Sequence, residues 1–173
     1  MKLARLTLLC VLGWQSASLA QVHLVIPRAH HTPVPGVYKS PDGSCSATVS
    51  VNLMGGQSEL KVADHIVSDV TGAIWIPPRD LVYSVSPVYG NPGIYLYSCR
   101  SAKTHVLVGP THRTEAYPDG TDYFELSGNQ KRGPKLFYYY VSDVQRLNLK
   151  ELGEKIHLTV LDLSSLKHEE ADK

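Results

Sequence analysis

Hydrophobic and polar residues alternate strictly along residues 45–53. One set comprises Cys45, Ala47, Val49, Val51 and Leu53, and the other comprises Ser46, Thr48, Ser50 and Asn52. A period of two places the two sets on opposite faces of a β-strand. The pattern therefore predicts a strand with one buried face, and it places Cys45 on that face.

Comparable apolar runs recur along the chain from position 36 onward, separated by Gly, Pro, Asn and Asp. Residues 81–86 and 94–100 flank the loop 87–93, and residues 122–127 and 135–141 flank a second loop rich in turn-forming residues. Two apolar runs joined by a short turn-rich loop are typical of an antiparallel hairpin. The sequence therefore predicts two such hairpins in the middle of the chain.

The final apolar run, residues 155–163, has a predicted core face that carries Ile156, Leu158 and Val160. Taken together, the runs predict a mostly β fold, an antiparallel β-barrel or sandwich of about 8–10 strands. The predicted core residues are Ala47, Val49, Val51, Leu53, Val62, Ile74, Leu81, Tyr83, Val85, Leu96, Val106, Val108, Phe124, Leu126, Ile156, Leu158 and Val160.

One short C-terminal segment has helical spacing. Val144, Leu147 and then Glu151 or Leu152 recur at intervals that suit one helix face. Ser142 followed three residues later by Gln145 matches a capping box. We therefore expect about ten helical residues that begin after Ser142 or Asp143 and end at Gly153.

The first twenty residues have the features of a secretory signal peptide. A basic start with Lys2 and Arg5 precedes an apolar run over residues 6–14, and Ser18 and Ala20 are small. This pattern predicts cleavage after Ala20 and export, and the apolar run is too short to span a bilayer. The predicted organisation is a signal peptide at 1–20, an extended lead-in at 21–35, a single β-rich domain at 36–163 and a disordered tail at 164–173.

Charge and cysteine usage fit an exported protein. Without Lys2 and Arg5, fifteen basic residues stand against sixteen acidic ones. A chain so balanced has no electrostatic basis for binding nucleic acid or an anionic membrane. Cys45 and Cys99 are the two cysteines that remain after cleavage, and an oxidising compartment favours a disulfide between them. The alternative is a pair of buried free thiols.

Residues 73–97 resemble one repeat of the TolB-type β-propellers. The similar positions are Trp75-Ile76-Pro77, Leu81-Val82-Tyr83-Ser84, Gly90-x-x-Gly93 and Ile94-Tyr95, whereas Pro78-Arg79 replaces the Asp-Gly of the family turn. The resemblance implies a hairpin built in the same way. It implies no propeller, because 153 mature residues are fewer than four blades of about 40 residues require. No functional residue carries over from it.

Tyrosines are the main candidates for binding residues. The sequence predicts a contact surface from the aromatic loop 87–93 and from side chains on two hairpins, namely Tyr89, Tyr95, Tyr97, Tyr138, Tyr139 and Tyr140. Neighbouring strand residues face opposite sides, so some of these rings lie outside the core unless both faces are covered. Exposed tyrosines suit a protein or carbohydrate partner. The alternative is that aromatic residues simply favour strands.

Residues that could perform chemistry are scattered. Asp119, Asp122 and Glu125 offer oxygen ligands but lack the spacing of a calcium loop. His30 and His31 would point to opposite sides of an extended segment. His65, with Asp64 and the Ser68-Asp69 pair nearby, forms the single Ser/His/Asp neighbourhood of the sequence. We assign no catalytic residue, no metal ligand and no cofactor from this pattern.

The leading hypothesis is therefore an exported small β-domain that acts as a binding or interaction module, and catalysis is not favoured. One alternative is a secreted hydrolase whose His/Asp site assembles in space. The other is a barrel that encloses a small apolar ligand. The sequence predicts no nucleic-acid partner and no membrane anchor after signal removal, and it leaves the oligomeric state open.

Overall fold

The computed structural model describes residues 24–52, 57–87, 90–111, 120, 122–127 and 135–163. The predicted signal peptide, the predicted tail, Leu53, Tyr89 and Asp119 lie outside the described residues. Within them the chain is mostly β-structure, and every strand pair is antiparallel, as predicted. None of the described helices is long and apolar enough to cross a membrane.

The strands follow one another in short succession. In chain order they are β1 (Leu24–Val25), β2 (Arg28–Ala29), β3 (Thr32–Pro33), β4 (Gly36–Lys39), β5 (Ser46–Val51), β6 (Ser58–Val62), β7 (His65–Ser68), β8 (Val70–Ile76), β9 (Asp80–Val85), β10 (Gly93–Ser98), β11 (Lys103–Val108), β12 (Tyr123–Leu126), β13 (Lys135–Val141) and β14 (His157–Asp162). Both predicted hairpins are present, as β9–β10 and β12–β13. The first of them is the hairpin that the propeller resemblance implies.

The strands form three main sheets and one small hairpin. The central sheet has the order β1-β8-β9-β10-β11, the four-stranded sheet β4-β5-β6-β7, and the three-stranded sheet β12-β13-β14. Strands β2 and β3 form the separate two-stranded hairpin. No sheet of the described chain closes on itself, so the architecture is of the sandwich type and the predicted barrel alternative is wrong.

Strands β8, β9 and β10 of the central sheet are covered on both faces, because one hydrophobic core lies on each side of them. Trp75, Leu81 and Tyr83 project into the first core, which Val49 and Leu60 of the four-stranded sheet complete. The intervening residues project into the second core. Its members are Ile74, Val82 and Ile94 of the central sheet and Phe124, Leu126, Leu136 and Tyr138 of the three-stranded sheet. The molecule therefore has three layers.

Most of the predicted core positions are buried. The confirmed ones are Ala47, Val49, Val62, Ile74, Leu81, Tyr83, Val85, Phe124 and Leu126. Four predictions are wrong, because Val106, Ile156, Leu158 and Val160 are exposed. On β14 the residue that packs on the second core is Leu161, one position out of step with the predicted core face. A shift of one residue moves every side chain of a strand to the opposite face.

The C-terminal helix is present but begins later than predicted. It spans Leu149–Lys155, with Asn148 rather than Ser142 at its start, and Gly153 lies inside it. The Asn148 side chain accepts hydrogen bonds from the amides of Lys150 and Glu151, and the Glu151 carboxylate accepts one from the amide of Asn148. This is a capping box. Residues 144–146 form a separate short 3₁₀ turn.

The predicted disulfide joins Cys45 to Cys99. Cys45 immediately precedes β5 of the four-stranded sheet, and Cys99 immediately follows β10 of the central sheet. Both cysteines pack against the first core. The bond therefore ties these two layers together at one end of their shared core.

Candidate functional site

The five described tyrosines among those that the sequence singled out do not form one surface. Tyr97 and Tyr138 are buried, so their rings are removed from any exposed contact area. Tyr95, Tyr139 and Tyr140 are half-buried. Tyr95 packs against the first core and Tyr140 against the second, which leaves Tyr139 on the outer side of the three-stranded sheet.

An aromatic cluster fills one part of the first core. His65 on β7 stacks on Tyr97 with ring centroids 5.0 Å apart, and Tyr83 stacks on Tyr95 at 5.5 Å. The His65 Nε2 atom lies 2.8 Å from the Tyr83 hydroxyl. Burial lowers the pKa of His65 and raises the pKa of Tyr83 to about 12. Both groups are therefore held neutral near pH 7, and the partner of His65 is a phenol rather than the carboxylate of a triad.

Asp122 is a buried carboxylate that accepts hydrogen bonds from backbone amides and from a tyrosine hydroxyl. It accepts hydrogen bonds from the Thr111 amide at 2.7 Å, the Asp143 amide at 3.0 Å and the Tyr140 hydroxyl at 3.2 Å. These contacts connect three separate chain segments. A carboxylate that caps backbone amides in this way is a structural group.

Glu125 forms a second polar cluster, on the outer side of the three-stranded sheet. Its side chain is buried, and its Oε1 atom accepts a hydrogen bond from Arg28 Nη1 at 2.5 Å. Its Oε2 atom accepts one from the Tyr123 hydroxyl and lies 2.8 Å from His31 Nδ1. Burial is the main cause that raises the pKa of the Tyr123 phenol, and its bond to Glu125 acts in the same direction. Asp122 and Glu125 thus have different partners, and within the described residues no group of three His, Cys, Asp or Glu side chains is placed to hold a metal.

The β2–β3 hairpin brings Arg28 and His31 to Glu125 across more than ninety residues of chain. His30 and His31 both adopt left-handed backbone conformations, with φ of 48° and 64°, and so form a turn rather than the predicted extended pair. Sequence reasoning missed this cluster, because nothing in the local pattern of either segment refers to the other. The segment 28–33 contains no Gly, Asn or Asp, so the usual signals of a tight turn are absent from it.

The outer side of the three-stranded sheet also carries a contiguous apolar area, which we call the outer apolar face. Its members are Phe137, Tyr139, Ile156, Leu158 and Val160. Phe137 lies directly opposite Val160, and Tyr139 directly opposite Leu158. Side chains paired in this way are in contact. Ile156, Leu158 and Val160 are 45%, 56% and 49% exposed, respectively.

The outer apolar face adjoins the Glu125 cluster, because Tyr139 lies opposite Leu158 on one side and opposite Glu125 on the other. One face therefore runs from a charged border at β12 to an aliphatic edge at β14. Exposed apolar area bordered by polar groups is typical of an interaction surface.

Comparison of the chain with protein-family models, with curated proteins and with solved structures returns no match.

Proposed function

We propose that this protein is an exported interaction module that binds a protein partner through the outer apolar face and carries out no chemistry of its own. The observation that carries the proposal is a pair of exposed large aliphatic residues at successive outward positions of β14, Leu158 and Val160, paired with Tyr139 and Phe137 on β13 and preceded by exposed Ile156. Export rests on the signal-like first twenty residues. The Cys45–Cys99 bond is consistent with an oxidising compartment.

The composition of the face favours a protein partner over a carbohydrate. Sugar-binding faces combine a flat aromatic ring with several hydrogen-bonding side chains around it. Here Leu158, Val160 and Ile156 supply branched aliphatic surface, and Phe137 and Tyr139 supply the aromatic part. Aromatic and aliphatic anchors with a charged border are the composition expected of the centre of a protein interface.

The test compares two equivalent pairs of substitutions. Leu158→Lys with Val160→Lys places two charges on the outer apolar face. Val37→Lys with Ile66→Lys does the same on the outer face of the four-stranded sheet, where these residues are 65% and 55% exposed. Residues 21–173 of each variant are used to capture proteins from extracellular and envelope extracts of the host. Capture is quantified by mass spectrometry.

We expect the β14 variant to lose about tenfold or more of the capture of a saturable partner, because two buried anchors of an interface are each worth more than about 1 kcal/mol. The control variant retains capture within about twofold. Both variants keep their fold, since all four side chains are exposed. Equal capture by both variants would count against the proposal, as would equal loss.

A second candidate function rests on the His31–Glu125 pair. The Nδ1 atom of His31 contacts a buried carboxylate, while 77% of the His31 side chain is exposed. A carboxylate that orients an imidazole is one half of the geometry used by hydrolases with a histidine base. If the protein hydrolyses esters or peptides, His31→Ala abolishes the turnover and His105→Ala, a change of another exposed histidine, leaves it intact. Absence of turnover of either substrate class by the wild-type protein removes this candidate.

A further inference from the structure

The two edge strands of the three-stranded sheet, β12 and β14, differ in the partners of their outward-facing backbone groups. At β12, the Phe124 amide donates to Ser86 Oγ at 2.7 Å and the Leu126 amide to Ser84 Oγ at 3.0 Å. Hydroxyl groups of Thr71 and Ser86 donate to the Phe124 carbonyl. Side chains on or next to β8 and β9 thus form hydrogen bonds with the outward-facing backbone groups of β12. At β14, the described residues contain no second strand partner beyond β13.

The backbone groups at the open edge of β14 can be identified from the pairing. The edge groups of β12 belong to Phe124 and Leu126, which lie opposite Tyr140 and Tyr138. Hydrogen-bonded and non-hydrogen-bonded pairs alternate along an antiparallel ladder, so Tyr138 and Tyr140 direct their backbone groups toward β14. Their partners on β14 are Thr159 and His157. The amides and carbonyls of Leu158 and Val160 therefore point away from the sheet.

The two edges of the central sheet carry features that discourage pairing. β11 carries Lys103 and His105, and its ladder with β10 contains an irregularity at Ile94 and Tyr95. β1 has two residues. In contrast, residues 158–161 of β14 contain no charge, Pro or Gly, and the β13–β14 register is regular. Charges, bulges and short length protect natural edges, and this edge has none of them over its central residues.

We propose that β14 pairs with β14 of a second copy of this chain, antiparallel and about a two-fold axis that passes between the two Thr159 residues. In that register Leu158 of each copy lies opposite Val160 of the other and exchanges both backbone hydrogen bonds with it. Thr159 meets Thr159, and His157 meets Leu161. No like charges lie directly opposite one another, and the two side chains of each pair lie on the same face of the sheet.

This pairing enlarges the surface proposed for binding, and the inference rests on that proposed function. Three strands span about 14 Å and six residues about 20 Å, so one copy offers a face of roughly 300 Å². A specific protein interface takes about 800 Å² from each partner. Because the two-fold axis is perpendicular to the sheet, the outer apolar faces of both copies point the same way. The six-stranded sheet then offers about 600 Å² without covering either face.

The register is tested by a single cysteine. In the mature chain Cys45 and Cys99 are joined, so Thr159→Cys adds the one free thiol. Directly opposite residues of a non-hydrogen-bonded pair are close enough to form a disulfide. Val160→Cys is the control on the same strand, because Val160 and its copy are diagonal neighbours about 7–8 Å apart. Thr48→Cys is the control on the exposed face of the four-stranded sheet.

We expect Thr159→Cys to form disulfide-linked dimers under mild oxidation about tenfold or more faster than either control, because pairing raises the effective concentration of the two thiols. Sedimentation of the unmodified mature protein from about 1 to 100 μM should give a dimer. Leu158→Lys with Val160→Lys should give a monomer, and Val37→Lys with Ile66→Lys a dimer. Cross-linking at the control rate, or a monomer throughout this range, would overturn the inference.

The outcomes also separate this inference from the proposed function. A monomer whose capture of a partner still depends on Leu158 and Val160 leaves the binding role standing and refutes the dimer. A Thr159→Cys protein that cross-links to a captured partner and not to itself shows that β14 receives a strand from a different protein, which likewise overturns the second copy as occupant. A dimer that captures no protein supports the β14 pairing and refutes the proposed binding of a protein partner.

Discussion

The outer faces of the two outer sheets differ in how their apolar residues are grouped. On the four-stranded sheet, exposed Val37 lies opposite Thr48, and exposed Ile66 lies opposite Lys61. Each is an isolated apolar residue among polar neighbours. On the three-stranded sheet, exposed Val160 and Leu158 lie opposite Phe137 and Tyr139. The fractional exposures are similar, so the contiguity of the apolar residues, rather than their exposure, distinguishes a candidate binding face from an ordinary solvent face.

The two outer sheets are also attached to the central sheet by different means. The four-stranded sheet is held by the first core and by the Cys45–Cys99 bond. The three-stranded sheet is held by the second core and by hydroxyl groups that bond to the backbone of β12. The Glu125 cluster connects it to the β2–β3 hairpin. Each attachment can be removed separately.

The largest expected effect is the loss of the disulfide. Cys45→Ser with Cys99→Ser should lower the free energy of unfolding by about 4 kcal/mol, because the bond closes a loop between residues 54 positions apart. Urea unfolding measures the loss. Hydrogen exchange should show faster opening in the four-stranded sheet than in the three-stranded one. Equal acceleration in both sheets would contradict the proposed difference in attachment.

The next effect comes from Glu125. Glu125→Ala should lower the free energy of unfolding by about 3 kcal/mol, because it leaves the Arg28 guanidinium partly buried without its carboxylate. The matched control is Glu59→Ala on the exposed face of the four-stranded sheet, where we expect a change within about 0.5 kcal/mol. Adding Arg28→Met to the Glu125 variant should restore part of the loss. Similar values for the two glutamates would refute a structural role for the cluster.

Alkaline pH tests the interface between the central and four-stranded sheets. The pKa of Tyr83 is raised to about 12 in the folded protein, mainly by burial, against about 10 when unfolded. The stability this provides is complete below pH 10 and is lost as the pH rises to 12, a loss of between about 2 and 3 kcal/mol. Tyr83→Phe should flatten this part of the pH profile. An unchanged slope in that variant would assign the effect to other tyrosines.

The smallest effect concerns the attached edge of the three-stranded sheet. Ser86→Ala removes the hydroxyl that accepts from the Phe124 amide and donates to the Phe124 carbonyl oxygen. This loss should lower the free energy of unfolding by about 1–2 kcal/mol. Ser50→Ala, on the exposed face of the four-stranded sheet, should change stability by less than about 0.5 kcal/mol. Thermal unfolding compares the two variants. Exchange of the Phe124 amide should accelerate in the first and not in the second.

The sequence predicts the positions of the strands better than it predicts which face of each strand is buried and which residues are in contact. The run of three tyrosines on β13 illustrates this, because alternation correctly implies that its members face different sides. It does not say which side is the core. Tyr138 and Tyr140 pack near Phe124, with ring centroids 6.3 Å and 5.1 Å away, and so Tyr139 is the ring left outside. Propensity for strands supplies no information about this choice.

The helix start was misplaced for a similar reason. Two segments match the capping pattern, one beginning at Ser142 and the other at Asn148. Asp143 is held in a left-handed conformation with φ of 50°, and its amide donates to the buried Asp122 carboxylate. A helix capped by Ser142 would require helical backbone at Asp143, which this conformation excludes. Leu147 and Asn148 are extended, with ψ of 138° and 167°, so the turn that follows Asp143 does not continue into the α-helix.

Local patterns specify the strand-rich class, the two hairpins and the disulfide partners, because period-two alternation, turn residues and cysteine number are local or countable properties. Which face of β14 is buried, and which charges meet Glu125, depend instead on how the layers pack together. Both sides of β14 contain apolar residues, so its orientation follows from its pairing with β13, whose own orientation is set by packing on Phe124. The Glu125 cluster depends on a hairpin more than ninety residues away, and only the packed layers bring those segments together.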